Sequence, residues 1–138
     1  MKGYIYILSV LLLALASCAR TNSSHSAQQA EEPVVHYEFG LPVDSFRIDT
    51  CMIKGGETLG GILNRLGATR EQITNITYMP RSVFDVRAIH PGKTYYALYQ
   101  TDTAGIEHLH HFIYMPNIRE AIVLHLIDSI RVEHFEKP

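Results

Sequence analysis

The stretch at residues 53–91 opens with IKGGETLGGILNRLG and carries the clearest local structural signals of the chain. Four of its apolar residues recur at the spacing of one helix face: Leu59, Ile62, Leu63 and Leu66. Residues three, four and seven apart lie on the same side of a helix, so this spacing predicts a short amphipathic helix. Gly55 and Gly56 supply the turn before it, and Gly67 stands where a left-handed residue ends a helix.

A second helix is predicted after a polar break. Thr69 precedes Gln72 by three residues, which is the spacing of a capping box. Ile73 and Ile76 then provide an apolar face, and Pro80 limits how far the helix can extend. We therefore expect two consecutive short helices.

Strands are expected on both sides of the helix pair. Phe46, Ile48 and Met52 alternate with other residues, as in a half-buried strand. Beyond the turn signal Pro91-Gly92, apolar and aromatic runs separated by polar turns predict four more strands. These strands cover residues 93–100, 106–115, 120–127 and 130–135. The predicted fold class is α+β, a strand-helix-helix-strand unit extended by an antiparallel β-meander.

The two glycine-containing turns carry a resemblance to a known module. The run IKGGETL at residues 53–59 resembles the first turn and helix start of a LysM module, and IHPGK at residues 89–93 resembles its closing turn. Together with residues 39–49 and 83–99, they are similar to the LysM-like N-terminal domain of lysostaphin-type peptidoglycan zinc endopeptidases, in the lipoprotein forms of Bacteroidetes. The resemblance implies a LysM-like unit with added strands, from Phe39 onward.

The resemblance also implies a ligand. In LysM modules, N-acetylated sugars lie in a shallow groove between the first turn and the turn before the last strand. The corresponding glycan-binding residues of this chain are Gly56, Glu57, Thr58, Leu59, Ile89, His90 and Pro91. Glu57 stands where Asp is more usual. The alternative is that these residues only cap a helix and close a turn, since Thr58 is also a candidate N-cap and Leu59 a candidate core residue.

The chain begins with the pattern of a bacterial lipoprotein. Lys2 precedes an apolar run that ends in LASC at residues 15–18, and this lipobox predicts that Cys18 is lipidated. We expect a lipoprotein signal peptide at residues 1–17, the lipidated cysteine and a flexible tether at 18–35, and the folded domain at 36–138. Many Bacteroidetes lipoproteins carry an acidic tract for surface export, and none follows Cys18. The resemblance therefore implies that the protein faces the periplasm from the outer membrane, held by its lipid alone. An ordinary secretory signal is the alternative.

The abundance of histidine raises the question of a metal site. The run HLHH at residues 108–111 contains the H-x-H of lysostaphin-type enzymes, but none of the eight histidines has Asp four residues later. A catalytic zinc needs three protein ligands and an open position, so we expect no catalytic residue, metal or cofactor. If a hairpin closes at residues 116–117, His111 and His125 would lie diagonally on one face and His134 could join them. An adventitious site of three imidazoles and a plain solvated face both fit this pattern.

Composition and context lead to the functional hypotheses. A net charge of −2 without a basic patch argues against nucleic acid as a partner.

Cys51 lies in a strand-like run with no His beside it and is expected to be partly buried and inert. We expect a non-catalytic periplasmic domain that binds peptidoglycan glycan strands, or that positions or regulates a cell-wall endopeptidase in cis or in trans. The rivals are a structural or inhibitory N-terminal domain of a zinc endopeptidase without glycan binding, and a zinc hydrolase that uses the histidine-rich strands.

Overall fold

Five antiparallel strands form one sheet in the computed structural model, which describes residues 33–138. In chain order the elements are β1 (Tyr37–Glu38), β2 (Leu41–Pro42), β3 (Arg47–Met52), α1 (Leu59–Arg65), α2 (Arg70–Thr77), β4 (Thr94–Thr101), β5 (Glu107–Met115), β6 (Glu120–His125) and β7 (Arg131–Glu136). Short 3-10 turns cover Val43–Ser45 and Val86–Ala88. The large sheet has the order β3-β4-β5-β6-β7, and β1 and β2 pair separately.

The expected fold class, an α+β LysM-like unit extended by a β-meander, is wrong. Within residues 33–138 the protein is mostly β-sheet, and its two helices are only 7 and 8 residues long. β3 pairs with β4 over its whole length, from Arg47 opposite Tyr99 to Met52 opposite Thr94. The helix pair is therefore an insertion between two neighbouring strands, because cross-strand pairing continues through all five strands of one sheet.

The sheet is covered on both faces, which explains why its central strands are almost continuously apolar. On one face, α1 and α2 bury Leu63 and Ile76 in a core that contains Phe112 of β5. On the other face, Leu41 of β2 packs in a second cluster with Val123 of β6. The central strands β4, β5 and β6 thus divide their buried side chains between two cores, in the alternation that a pleated strand requires.

The helix boundaries follow local signals in the sequence. Thr58 Oγ1 accepts a hydrogen bond of 3.1 Å from the Gly61 N–H. Thr69 and Gln72 form the predicted capping box, since each side chain accepts from the other residue's backbone N–H, at 3.1 and 2.8 Å. Gly67 follows α1 with a φ of +98°, a value that L side chains rarely adopt. Both predicted helices are present, although the fold class built on them is not.

β3 is more exposed than its alternating pattern suggests. Ile48 is 40% exposed and Met52 is 60% exposed. Cys51 is a free, exposed cysteine, so the expectation that it is partly buried is wrong. These residues are exposed because β3 is an edge strand, with a neighbouring strand on one side only.

The predicted signal peptide and the lipidation site Cys18 lie outside the described residues. Within residues 33–138, neither helix has the length and apolar character that crossing a membrane requires.

Candidate functional site

The two turns singled out in the sequence meet at one end of the sheet. The Ile53 N–H donates to the Lys93 carbonyl oxygen at 2.8 Å, and the Gly92 N–H donates to the Ile53 carbonyl oxygen at 2.8 Å. Gly92 has a φ of +82°, which closes the turn that begins at Pro91. These bonds hold the start of β4 against the end of β3, so the segments around residues 53–59 and 89–93 become neighbours.

A groove opens beside these turns and has a volume of about 350 Å³. We call it the turn groove; its lining residues are Glu57, Thr58, Leu59, Gly60, Thr77, Val86, Arg87 and Ile89. Four of the seven predicted glycan-binding residues therefore share one cavity: Glu57, Thr58, Leu59 and Ile89. The other three, Gly56, His90 and Pro91, do not line it.

Three further groove residues come from segments that the sequence did not connect with the site. Thr77 is the last residue of α2, while Val86 and Arg87 belong to a 3-10 turn. The sequence carries a local signal for that turn in Asp85, because an Asp side chain often accepts from a backbone N–H two residues later. Asp85 Oδ1 indeed accepts from the Arg87 N–H at 3.0 Å and caps the 3-10 turn. Such a cap predicts the local bend but not its distant partners.

Glu57 is fixed by two hydrogen bonds. Its Oε2 accepts from the Lys54 N–H at 2.8 Å, and its Oε1 accepts from Arg65 Nη1 at 2.6 Å. The Lys54 N–H, and after it the Arg65 guanidinium, hold the pKa of the Glu57 carboxyl below its usual value. Glu57 is thus an anchored carboxylate that braces the turn to α1, and its two hydrogen bonds favour the ionised form.

Two threonine hydroxyls remain able to bond a ligand. Thr58 Oγ1 accepts from the Gly61 N–H, which leaves the hydroxyl hydrogen available for donation. The Thr77 hydroxyl donates to the Ile73 carbonyl oxygen at 2.8 Å, which leaves its lone pairs available as acceptors. Val86 and Ile89 add apolar surface to the same groove. The two threonines therefore give the turn groove a donor and an acceptor beside a small apolar wall.

His90 has a structural partner behind the turn. Its backbone N–H donates to the Tyr114 hydroxyl at 3.1 Å, and that hydroxyl donates to the Ala88 carbonyl oxygen at 3.5 Å. Tyr114 is only 2% exposed, so this contact ties the turn to the core. The backbone of His90 orients the turn, and the His90 side chain is exposed outside the groove.

The histidines of the sheet do not form the three-imidazole arrangement considered from the sequence. His111 lies directly opposite His125, not diagonally, and their ring centroids are 4.8 Å apart. His134 lies opposite Ile122, and its Nε2 is 3.4 Å from the Val83 carbonyl oxygen. In the part of the chain that the structure describes, no three His, Cys, Asp or Glu side chains come together as metal ligands would. A register set by backbone pairing decided this outcome.

Comparison with solved structures finds a fold likeness to the crystal structure of a zinc-containing peptidase from Vibrio cholerae. The TM-score is 0.51 at 24% sequence identity, over 64% of this chain. The match spans 26% of the peptidase, about a quarter of its length. No protein-family model matches this chain, and no curated protein matches it. Part of this chain therefore shares its fold with part of a zinc-containing peptidase.

Proposed function

We propose that this chain is a peptidase-associated domain that binds peptidoglycan glycan strands in the turn groove and so positions or regulates a cell-wall endopeptidase, in cis or in trans. The fold likeness to part of a zinc-containing peptidase supports the association with a peptidase. The observation that carries glycan binding is the meeting of Thr58, Thr77 and Ile89 in one cavity of about 350 Å³.

The chemistry of the groove suits an N-acetylated sugar. A sugar hydroxyl or amide oxygen accepts from the Thr58 hydroxyl, and a sugar hydroxyl or amide N–H donates to Thr77 Oγ1. The acetamido methyl group packs against Val86 and Ile89. Few placed polar groups beside an apolar wall are the usual composition of a small-molecule site.

A non-catalytic role is supported by the state of the one carboxylate among the described lining residues. Each oxygen of Glu57 accepts a hydrogen bond, one from the Lys54 N–H and one from Arg65, and these bonds favour the ionised carboxylate over the protonated form that a general acid needs. Glycoside hydrolysis requires two carboxyl groups that flank the bond, and Glu57 faces no such partner in the turn groove. Binding without bond cleavage is therefore the proposed activity of this groove.

The test uses Gly60, which lines the groove. A Cβ at Gly60 would meet Ile73 at an ordinary 3.6 Å, and a helical Gly60→Gln change adds helix propensity of up to about 0.5–1 kcal/mol. Gly55→Gln is the matched control, because nothing lies within 4 Å of its Cβ position and it does not line the groove. We expect the full chain and Gly55→Gln to sediment with insoluble peptidoglycan, whereas Gly60→Gln stays in the supernatant. Equal sedimentation of both variants, or none of the wild type, refutes glycan binding in this groove.

Anchoring by lipid is also part of the proposal. Cys18 closes the predicted lipobox, and a diacylated cysteine holds a protein stably at a membrane. Expression with a labelled fatty acid should label the wild-type chain and leave Cys18→Ser unlabelled. Equal labelling of the two chains would refute the anchor.

A further inference from the structure

We propose that the bound polymer continues from the turn groove along the C-terminal end of α2, where Tyr78 stacks on a sugar ring and Arg81 and Arg87 bind carboxylates of the peptide stems. This inference rests on the proposed function and names the ligand class more narrowly: an anionic, peptide-bearing glycan strand in preference to a neutral one.

The first argument is continuity of the surface. A second hollow, of about 250 Å³, shares three lining residues with the turn groove, namely Thr77, Val86 and Arg87. A third, of about 570 Å³, shares Tyr78 and Met79 with the second. The three hollows thus form a row, which we call the helix-end trough. A row of adjacent hollows accommodates an extended chain better than a single small molecule.

The second argument is the position of Tyr78. Its side chain is 82% exposed, whereas its backbone N–H is held by the Thr74 carbonyl oxygen at 3.0 Å at the end of α2. The ring is therefore presented to solvent on a fixed backbone. A single exposed aromatic residue is common and means little alone. Tyr78, however, lines two hollows of the helix-end trough, where its flat face can cover the C–H groups of a sugar.

The third argument is charge. Arg81 and Arg87 are exposed and form no ion pair within residues 33–138. One carboxylate lies near them, that of Asp85, and the only other one along the trough, that of Glu57, is neutralised by Arg65. The trough therefore has an excess of positive charge on a chain whose net charge is −2. Free guanidinium groups pair well with carboxylates, which peptidoglycan stems carry and neutral N-acetylglucosamine polymers lack.

The experiment compares two soluble probes by titration calorimetry on the full chain. One probe is a peptidoglycan tetrasaccharide with its stem peptides, and the other is a neutral tetramer of N-acetylglucosamine. We expect the wild type to prefer the stem-bearing probe, and Arg87→Gln to lose about fivefold in affinity for that probe alone. Tyr78→Ala should weaken binding of both probes by about fivefold.

The controls separate this inference from the proposed function. Arg70→Gln removes an exposed arginine at the opposite end of the same helix, and Tyr37→Ala removes a tyrosine that is 68% exposed and lies outside the trough. Both should bind as the wild type does. If Tyr78→Ala and Arg87→Gln bind both probes with wild-type affinity, the proposed binding in the helix-end trough is refuted, while binding in the turn groove remains supported. A wild type that binds neither probe overturns both proposals.

Discussion

Acid should destabilise this domain through one pair of histidines between β5 and β6. His111 and His125 lie opposite one another with their rings edge to face at 4.8 Å, and the Phe46 ring is 5.1 Å from that of His111. His111 Nδ1 and His125 Nε2 are buried without a hydrogen-bond partner. A proton added to the His111 ring therefore introduces a charge into a largely apolar cluster.

The charges around the pair do not remove this cost. Arg131 of β7 lies opposite His125, and His110 is adjacent in the chain, so both oppose a positive charge on His111. Glu133 Oε2 is 3.3 Å from His125 Nε2, but without the alignment of a hydrogen bond. Burial first, and then His125, His110 and Arg131, lower the pKa of His111 to about 4 from its ordinary 6.5.

The direction of the pH effect on stability follows from which state of the chain binds the proton on His111. Between pH 6.5 and pH 4 the unfolded chain protonates His111 while the folded chain does not, so the free energy of unfolding falls as the pH falls through this window. The full difference in pKa corresponds to roughly 3 kcal/mol. Because the His111 ring is partly exposed, screening by solvent reduces the expected loss to about 1–2 kcal/mol.

Urea denaturation at pH 7.5 and pH 4.5 measures this loss. His111→Phe removes the titrating group and keeps a ring, and His134→Gln is the control at an exposed strand position. Protonation of carboxylates affects all variants alike, so the informative quantity is the change between the two pH values. We expect His111→Phe to lose about 1–2 kcal/mol less than the wild type and than His134→Gln. An equal loss in all three chains would refute the reasoning.

The remaining predictions concern the helix pair, and both are measured by the same denaturation at pH 7.5. Ile62→Ala should lower the free energy of unfolding by about 2–5 kcal/mol, because Ile62 lies fully buried on the inner face of α1 and the change leaves a cavity. A loss below about 1 kcal/mol would contradict this packing. Thr69→Ala should cost about 1 kcal/mol, because it removes the N-cap acceptor of α2. Thr50→Ala on the exposed edge strand is the control, and an equal effect there would contradict the capping argument.

Much of the local structure could be read from the sequence. The helical spacing of Leu59, Ile62 and Leu63, the capping box of Thr69 and Gln72, and the turn at Gly92 all appear in the structure as expected. Each depends on residues within about one turn of chain, where backbone geometry and side-chain spacing decide the outcome. The predicted fold class is wrong because the two helices leave strong local signals, whereas the pairing of the five strands joins residues far apart in the chain.

The candidate site shows the same division. The sequence alone determined that Glu57, Thr58 and Leu59 form a helix-opening turn, since hydrogen bonds within a few residues suffice for that. Contacts formed on folding bring Thr77 and Arg87 to face this turn across one groove. They also place His111 directly opposite His125 and keep His134 away from the pair, opposite Ile122. Those outcomes depend on sheet register and on how helices pack over a strand pair. Both are settled by contacts between residues far apart in the chain, whose energies no short stretch of sequence contains.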